Sequence, residues 1–240
     1  MPIEIIAHRG ASQEAPENTL PAFQRAYELG VDGIETDIHL TKDLIPILIH
    51  DDNLKRTANH LGYVKDFTFT QLKNIDVGGW FAKEYLGTPI LSLEDFLTWI
   101  KPKNLNLNIE LKNNKIKYNH LEYIVYEILG HYQLLERTTI STFNKDSVKR
   151  MSKLNVEVAY LTSRHRWNPI KYGKMLGADV VHIKHTLLNS RLIKQSREED
   201  IPVRVYTVNK VRQILKCFNH NCHGIFTDIP KTALELRGEL

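Results

Sequence analysis

Residues 33–52 read GIETDIHLTKDLIPILIHDD. Strand side chains alternate between two faces, so GIETDIHL as a strand places Glu35, Asp37 and His39 on one side and Ile34, Thr36 and Ile38 on the other. The second half, IPILIHDD, is another apolar run, and it ends in His50 and two acids. Only residues Thr41 to Leu44 separate the runs. That is too few for a helical crossover, so the pair forms a hairpin. With the turn near Asp43, antiparallel pairing sets His50 opposite about residue 36. The chain doubles back and delivers an imidazole beside two carboxylates.

Outward from this hairpin, short β-rich runs recur: IEIIA (3–7), GIETDIH (33–39), LNLNIEL (105–111), TTIST (138–142), VEVAYL (156–161), DVVHI (179–183), PVRVY (202–206) and GIFTD (224–228). Segments of helical period lie between them, among them NTLPAFQRAYELG, SLEDFLTWI and HLEYIVYEILGHY. Strand and helix in alternation imply parallel strands with crossovers, and eight such units predict an α/β fold of the closed (β/α)8 TIM barrel type. An open doubly wound sheet is the second choice, because no GxGxxG turn follows the first strand and no GxxxxGK[ST] loop occurs. Residues 51 to about 90 precede the next barrel helix and carry turn signals and scattered aromatics, which predicts a small insertion over the C-terminal mouth. Trp80 and Phe81 there are candidates for a pocket wall or for packing the insertion onto the barrel. One domain, 1–240, accounts for the whole pattern.

LNLNIELK turns Asn106, Asn108, Glu110 and Lys112 to one face. Both faces of a parallel barrel strand are normally buried, and unpaired buried carboxylates cost several kcal/mol. Glu35, Asp37 and Glu110 converging at one barrel end therefore require a cation or ion pairs. A carboxylate set without cysteine suits a hard cation, Ca²⁺ or Mg²⁺, and disfavours zinc. His8-Arg9-Gly10 closes the first strand at the end where barrel catalysis takes place. Arg9 offers a planar fork of donors for phosphate, Lys112 a point charge, and Gly10 a close turn. His8 and His50, on opposite sides of a substrate, form an acid and base pair. Glu17, in PENTLPAF, either favours the start of the following helix or orients Arg9 or His8.

Composition narrows the field. The 240 residues are 42% hydrophobic, enough for one substantial core. A net charge of +4 without a Lys/Arg run suits a small anion better than nucleic acid. The absence of a membrane-length apolar run, with only Cys217 and Cys222, predicts a cytoplasmic protein with no stable membrane association. CFNHNCH (217–223) lacks regular zinc spacing and reads as a helix end and loop. His39 is expected just beyond the two carboxylates, and His182 and His185 at the rim, with Lys184 as an outer phosphate contact.

Together these pieces resemble the glycerophosphodiester phosphodiesterases, which share a barrel with the phosphatidylinositol-specific phospholipases C. HRG (8–10), PENT (16–19), GIETDIHLTKD (33–43), HDDNLKRT (50–57), LKNIDVGGWF (72–81), IELK (109–112), STFN (141–144), VYTVN (205–209) and GIFTDIP (224–230) carry the likeness in order. The resemblance implies metal binding by Glu35, Asp37 and Glu110, general acid/base work by His8 and His50, and phosphate contact by Arg9 and Lys112. It also implies that Phe143 lies along the substrate glycerol, while Tyr206 stands where many members carry tryptophan. The implied reaction is metal-dependent hydrolysis of a small-molecule glycerophosphodiester to sn-glycerol 3-phosphate and an alcohol, with water or the substrate 2-hydroxyl as attacking oxygen. The competing expectations are a lipid-directed phosphodiesterase, of lysophospholipase D or phospholipase C type, and a non-catalytic phosphate-ester binding barrel.

Overall fold

The computed structural model describes residues 3–164 and 168–238. In chain order its elements are β1 (Glu4–His8), α1 (Leu20–Leu29), β2 (Gly33–Leu40), β3 (Pro46–Leu48), α2 (Lys55–Ala58), α3 (Phe69–Leu72), α4 (Leu93–Ile100) and β4 (Asn106–Leu111). There follow α5 (Leu121–Tyr132), β5 (Thr138–Thr142), α6 (Lys145–Met151), β6 (Glu157–Thr162), α7 (Pro169–Leu176) and β7 (Val180–Lys184). The chain continues through α8 (Ser190–Glu199), β8 (Val203–Tyr206), α9 (Val211–His220), β9 (Gly224–Thr227) and α10 (Pro230–Gly238). Eight parallel strands run β1, β9, β8, β7, β6, β5, β4, β2, and β1 pairs with β2 to close the barrel.

Local chemistry sets the helix boundaries. Helix α1 starts after Thr19 with a proline in its first turn and stops at Gly30, whose φ of 77° suits the left-handed cap. A capping box starts α4, in which Ser92 Oγ accepts from the Asp95 amide and the Asp95 carboxylate accepts from the Ser92 amide. Helix α7 is capped by Asn168, with Pro169 in its first turn. The helices between the barrel strands cover their apolar outer face, where Ile5, Ala7, Ile34, Ile38, Ile109, Ile140, Val158 and Val181 are fully buried. Burial of each such aliphatic side chain larger than alanine stabilises the fold by roughly 1.5–3 kcal/mol. Helix α10, which the sequence pattern had not marked, packs beside β1 and α9.

Strand β3 is the ninth strand and pairs antiparallel with β2, Ile38 opposite Leu48 and Leu40 opposite Pro46. It takes up the edge of β2 beyond the last β1 pairing, His8 with Glu35. Extending the register sets His50 opposite residue 36, as the hairpin reading required, and the Ile49 amide donates to the Asp37 carbonyl at 3.1 Å. The segment after it has a small core of its own, in which Ile47, Ile49, Leu54, Val64, Leu72, Val77 and Ile90 pack together.

Inside the barrel, below the mouth, Arg204 bonds Glu4 and Glu157, each at 2.9 Å. Above this layer lies His182, which is wholly buried against Phe226 with ring centroids 4.8 Å apart. His182 was expected at the rim. It is the central residue of a strand buried along four of its five positions, so alternation turns it inward and not to solvent. Burial, and then the charge of Arg204, holds its imidazole neutral far below the ordinary histidine range.

Candidate active site at the C-terminal mouth

Strand pairing alone gathers the acids. In register, His8 lies beside Glu35, and Asp37 beside Glu110. One carboxylate oxygen from each of Glu35, Asp37 and Glu110 lies within 4.8 Å of the others. Glu35 and Asp37 are buried, and the outer oxygens Glu35 Oε1 and Asp37 Oδ1 have no hydrogen-bond partner. Burial, and then the neighbouring charges of Asp37 and Glu110, push Glu35 well above the ordinary carboxylate range. Burial would raise Asp37 as well, but Lys112, Arg9, His50 and His8 outweigh it and hold Asp37 down. Three crowded acids, two of them with an unpartnered buried oxygen, form a site that an oxygen-seeking cation fits, and the set contains no sulfur ligand.

Two cations share the neutralisation. Lys112 Nζ donates to Glu110 at 2.8 Å and lies 3.4 Å from Asp37 Oδ1. Arg9 Nη1 donates to Glu17 at 2.9 Å, and its Nε lies 3.2 Å from Asp37. Both are held charged against the cost of burial by these acids. Arg9 adopts a left-handed φ of 60° and turns its amide onto Glu35 Oε2 at 2.9 Å. Gly10 follows at φ 82°, where a Cβ would lie 2.6 Å from the Ala22 backbone, so the tight turn that aims Arg9 requires glycine. Of the partners considered for Glu17, Arg9 is the one it bonds.

Each predicted histidine has a carboxylate at Nδ1. His8 Nδ1 lies 2.6 Å from Asp228 Oδ1, and His50 Nδ1 lies 2.7 Å from Asp51 Oδ1. The carboxylate at Nδ1 leaves Nε2 as the outward nitrogen of each ring; that of His8 lies 4.0 Å from Glu35. Asp51 in turn accepts from Arg56 Nε at 2.7 Å, and Arg56 grips both oxygens of Glu17, so one chain of charges joins His50 to Arg9. Sequence reasoning missed Asp51, Asp228, Arg56 and Asn18. Asn18 donates to Asp37 at 3.0 Å and accepts from Thr36 Oγ1 at 2.7 Å. Their only signal was membership of the HDDNLKRT, GIFTDIP and PENT runs.

Phe143 and Tyr206 meet edge to face, centroids 6.1 Å apart. The Tyr206 hydroxyl is buried without a partner, and burial followed by the charge of Glu110 holds it protonated. His39, buried, binds Tyr118 Oη at 2.8 Å and the His50 carbonyl at 3.1 Å; burial lowers its pKa to about 4. It therefore supports His50 as a neutral donor. A cavity of about 550 Å³ opens from Glu110, Lys112 and His50 past Phe143. Trp80 and Phe81 are not part of its wall: Trp80 donates to the Val77 carbonyl and edges Phe81, packing the insertion. Lys184 is exposed at the end of β7 and also stands outside the cavity. Cys217 and Cys222 are buried and free, at the end of α9 and in the loop before β9.

Comparison with known proteins identifies the family. A glycerophosphodiester phosphodiesterase of Bacillus altitudinis is 36% identical over 99% of this chain and 99% of its own length. One from Caldanaerobacter subterraneus subsp. tengcongensis is 32% identical over 97% and 96%. The solved structure of an Oleispira antarctica phosphodiesterase, in complex with the product sn-glycerol-3-phosphate, superposes with a TM-score of 0.91 at 26% identity, covering 100% of this chain and 98% of the other. The profile of the glycerophosphoryl diester phosphodiesterase family matches residues 8–232. By that match and these relatives, the chain belongs to the glycerophosphoryl diester phosphodiesterase family.

Proposed function

We propose that the protein hydrolyses glycerophosphodiesters to sn-glycerol 3-phosphate and an alcohol, with a divalent cation, Ca²⁺ or Mg²⁺, held by Glu35, Asp37 and Glu110. The observation that carries the reading is the convergence of three acids within 4.8 Å, with His8 on one side and His50 reaching over from the hairpin. When bound, such an ion supplies polarisation of a phosphoryl oxygen and counter-charge for the crowded phosphorus. The charge balance supports it. Glu35 and Asp37, both buried, and the partly buried Glu110 face two cations, Arg9 and Lys112, and Arg9 is shared with Glu17, so the acids are not fully neutralised before an anionic diester enters.

Arg9 and Lys112 hold the phosphate, Arg9 by its fork of donors and Lys112 as a point charge. Of His8 and His50, one removes the proton from the attacking oxygen and the other protonates the departing alcohol. Asp228 and Asp51 hold each ring so that Nε2 faces the substrate. Phe143 and Tyr206 shape the side along which the glycerol lies and keep water from it. The substrate is a small molecule, the chain acts as one catalytic domain, and its place of work is the cytoplasm. Among the described residues no helix is long and apolar enough to cross a membrane.

The test is turnover of glycerophosphocholine after metal removal, after restoring Ca²⁺ or Mg²⁺ separately, and in the His8→Ala and His50→Ala variants. Activity should vanish with the metal, and each variant should lose roughly 10²–10⁴-fold in kcat, the usual contribution of a positioned acid or base. Full turnover surviving both treatments refutes the mechanism. Phosphorus NMR decides the attacking oxygen, because a transient cyclic phosphate identifies the substrate 2-hydroxyl and its absence identifies water.

A further inference from the structure

The cavity does not end at the acids. Two strands further round the barrel it is walled by Tyr160 of β6 and by Tyr172 of α7, whose rings meet edge to face 5.6 Å apart. Lys145 and Arg164 stand exposed at its rim. A space of about 550 Å³ takes a ligand far larger than the three carbons of glycerol. The cavity thus runs from Glu110 at the acids to an outer part, the outer chamber, beyond Phe143.

The charges of the outer chamber are unequal. The acids that line the cavity as a whole are already engaged: Asp51 by His50 and Arg56, Asp52 by Lys115 at 4.0 Å, and Glu110 by Lys112. Lys145 and Arg164 face no carboxylate within ion-pair distance among the described residues, and residues 165–167, His-Arg-Trp, add no acid to the segment. Lys145 Nζ lies 5.0 Å from the centre of the Tyr172 ring, which keeps the ammonium at the mouth. A cationic head group would meet two uncompensated positive charges there. An anionic one would meet a point charge and a planar fork of donors.

We propose that this outer chamber receives the alcohol half of the diester and selects alcohols that carry a phosphate monoester, bound by Lys145 and Arg164. The inference rests on the phosphodiesterase reading above and names the class of substrate for that same site. Tyr160 and Tyr172 supply the apolar floor under the alcohol carbon skeleton.

A matched pair tests it: glycerophosphoinositol 4-phosphate against glycerophosphoinositol, with glycerophosphocholine as the cationic comparison. For the wild-type protein kcat/KM should favour the phosphorylated member by roughly three- to tenfold at low salt, the range of one or two exposed ion pairs. The advantage should shrink as salt is raised, and in the Lys145→Met/Arg164→Met double variant the ratio should fall toward one. Equal turnover of the pair overturns the proposal while leaving the phosphodiesterase reading in place. So does a ratio unchanged in the double variant, or glycerophosphocholine as the preferred substrate. Turnover of none of the three removes the phosphodiesterase reading and the proposal with it.

Discussion

Asp228 and Asp51 reach the two imidazoles by different routes. Asp51 is the neighbour of His50 in sequence, whereas Asp228 directly follows the last strand and meets His8 across 220 positions of chain. Asp228 is itself held by Asn209 and Ser12, and although burial would raise it, His8 keeps it ionised. Its carboxylate occupies Nδ1 of His8 and so, in the proposed mechanism, leaves Nε2 for the substrate. Asp228→Asn should therefore lower kcat by about ten- to a hundredfold with little change in the apparent affinity for the metal, a loss typical of carboxylates that orient an imidazole. Measured kcat equal to wild type would remove that role. Another residue-scale consequence concerns His182. In the unfolded chain it takes up a proton near pH 6.5, but in the fold its pKa is depressed, so below that pH the unfolded state binds more protons. Its contribution to stability is therefore complete above pH 6.5 and is lost as pH falls. Replacing it by leucine should flatten the drop in urea midpoint between about pH 7.5 and about pH 5.5, and an unchanged drop would sink the assignment.

Among the elements, the β2–β3 hairpin decides the site. It was legible because alternation and the short link between its runs leave a single pairing. His50 lands beside the carboxylates by register alone, with no long-range contact needed to place it. The segment that follows is held by a separate apolar cluster and by the bridge from Arg56 to Glu17. Leu54 is wholly buried in that cluster. Leu54→Ala should destabilise this segment by roughly 2–5 kcal/mol and make residues 51–90 open to protease at temperatures where the barrel signal in circular dichroism is intact. Simultaneous loss of both signals would show that the segment and barrel unfold as one. Of the two roles open to Trp80 and Phe81, packing is the one their contacts show: Phe81 meets both Trp80 and Tyr85 edge to face. Composition identifies an aromatic, but not the direction in which it faces.

For the whole molecule, closure of the barrel concentrates charge that no single strand carries. Glu35, Asp37 and Glu110 repel one another in the absence of a counter-ion beyond Arg9 and Lys112. Adding Ca²⁺ or Mg²⁺ should therefore raise Tm, by an amount equivalent to about 2.7 kcal/mol at a hundred times Kd, and Glu35→Gln should shrink the shift. A Tm independent of either ion would argue that the acids are satisfied by Arg9 and Lys112 alone. The sequence by itself determined the alternation of strands and helices, the hairpin, and the three acids with their two histidines, because period and register act over a few residues. Only the tertiary structure decided that Asp228 holds His8, that Asn18 and Arg56 brace Asp37 and Glu17, and that His182 lies inside the barrel. Those contacts join residues from 19 to 220 positions apart, or depend on which way a strand faces once the sheet has closed, and no local pattern records either.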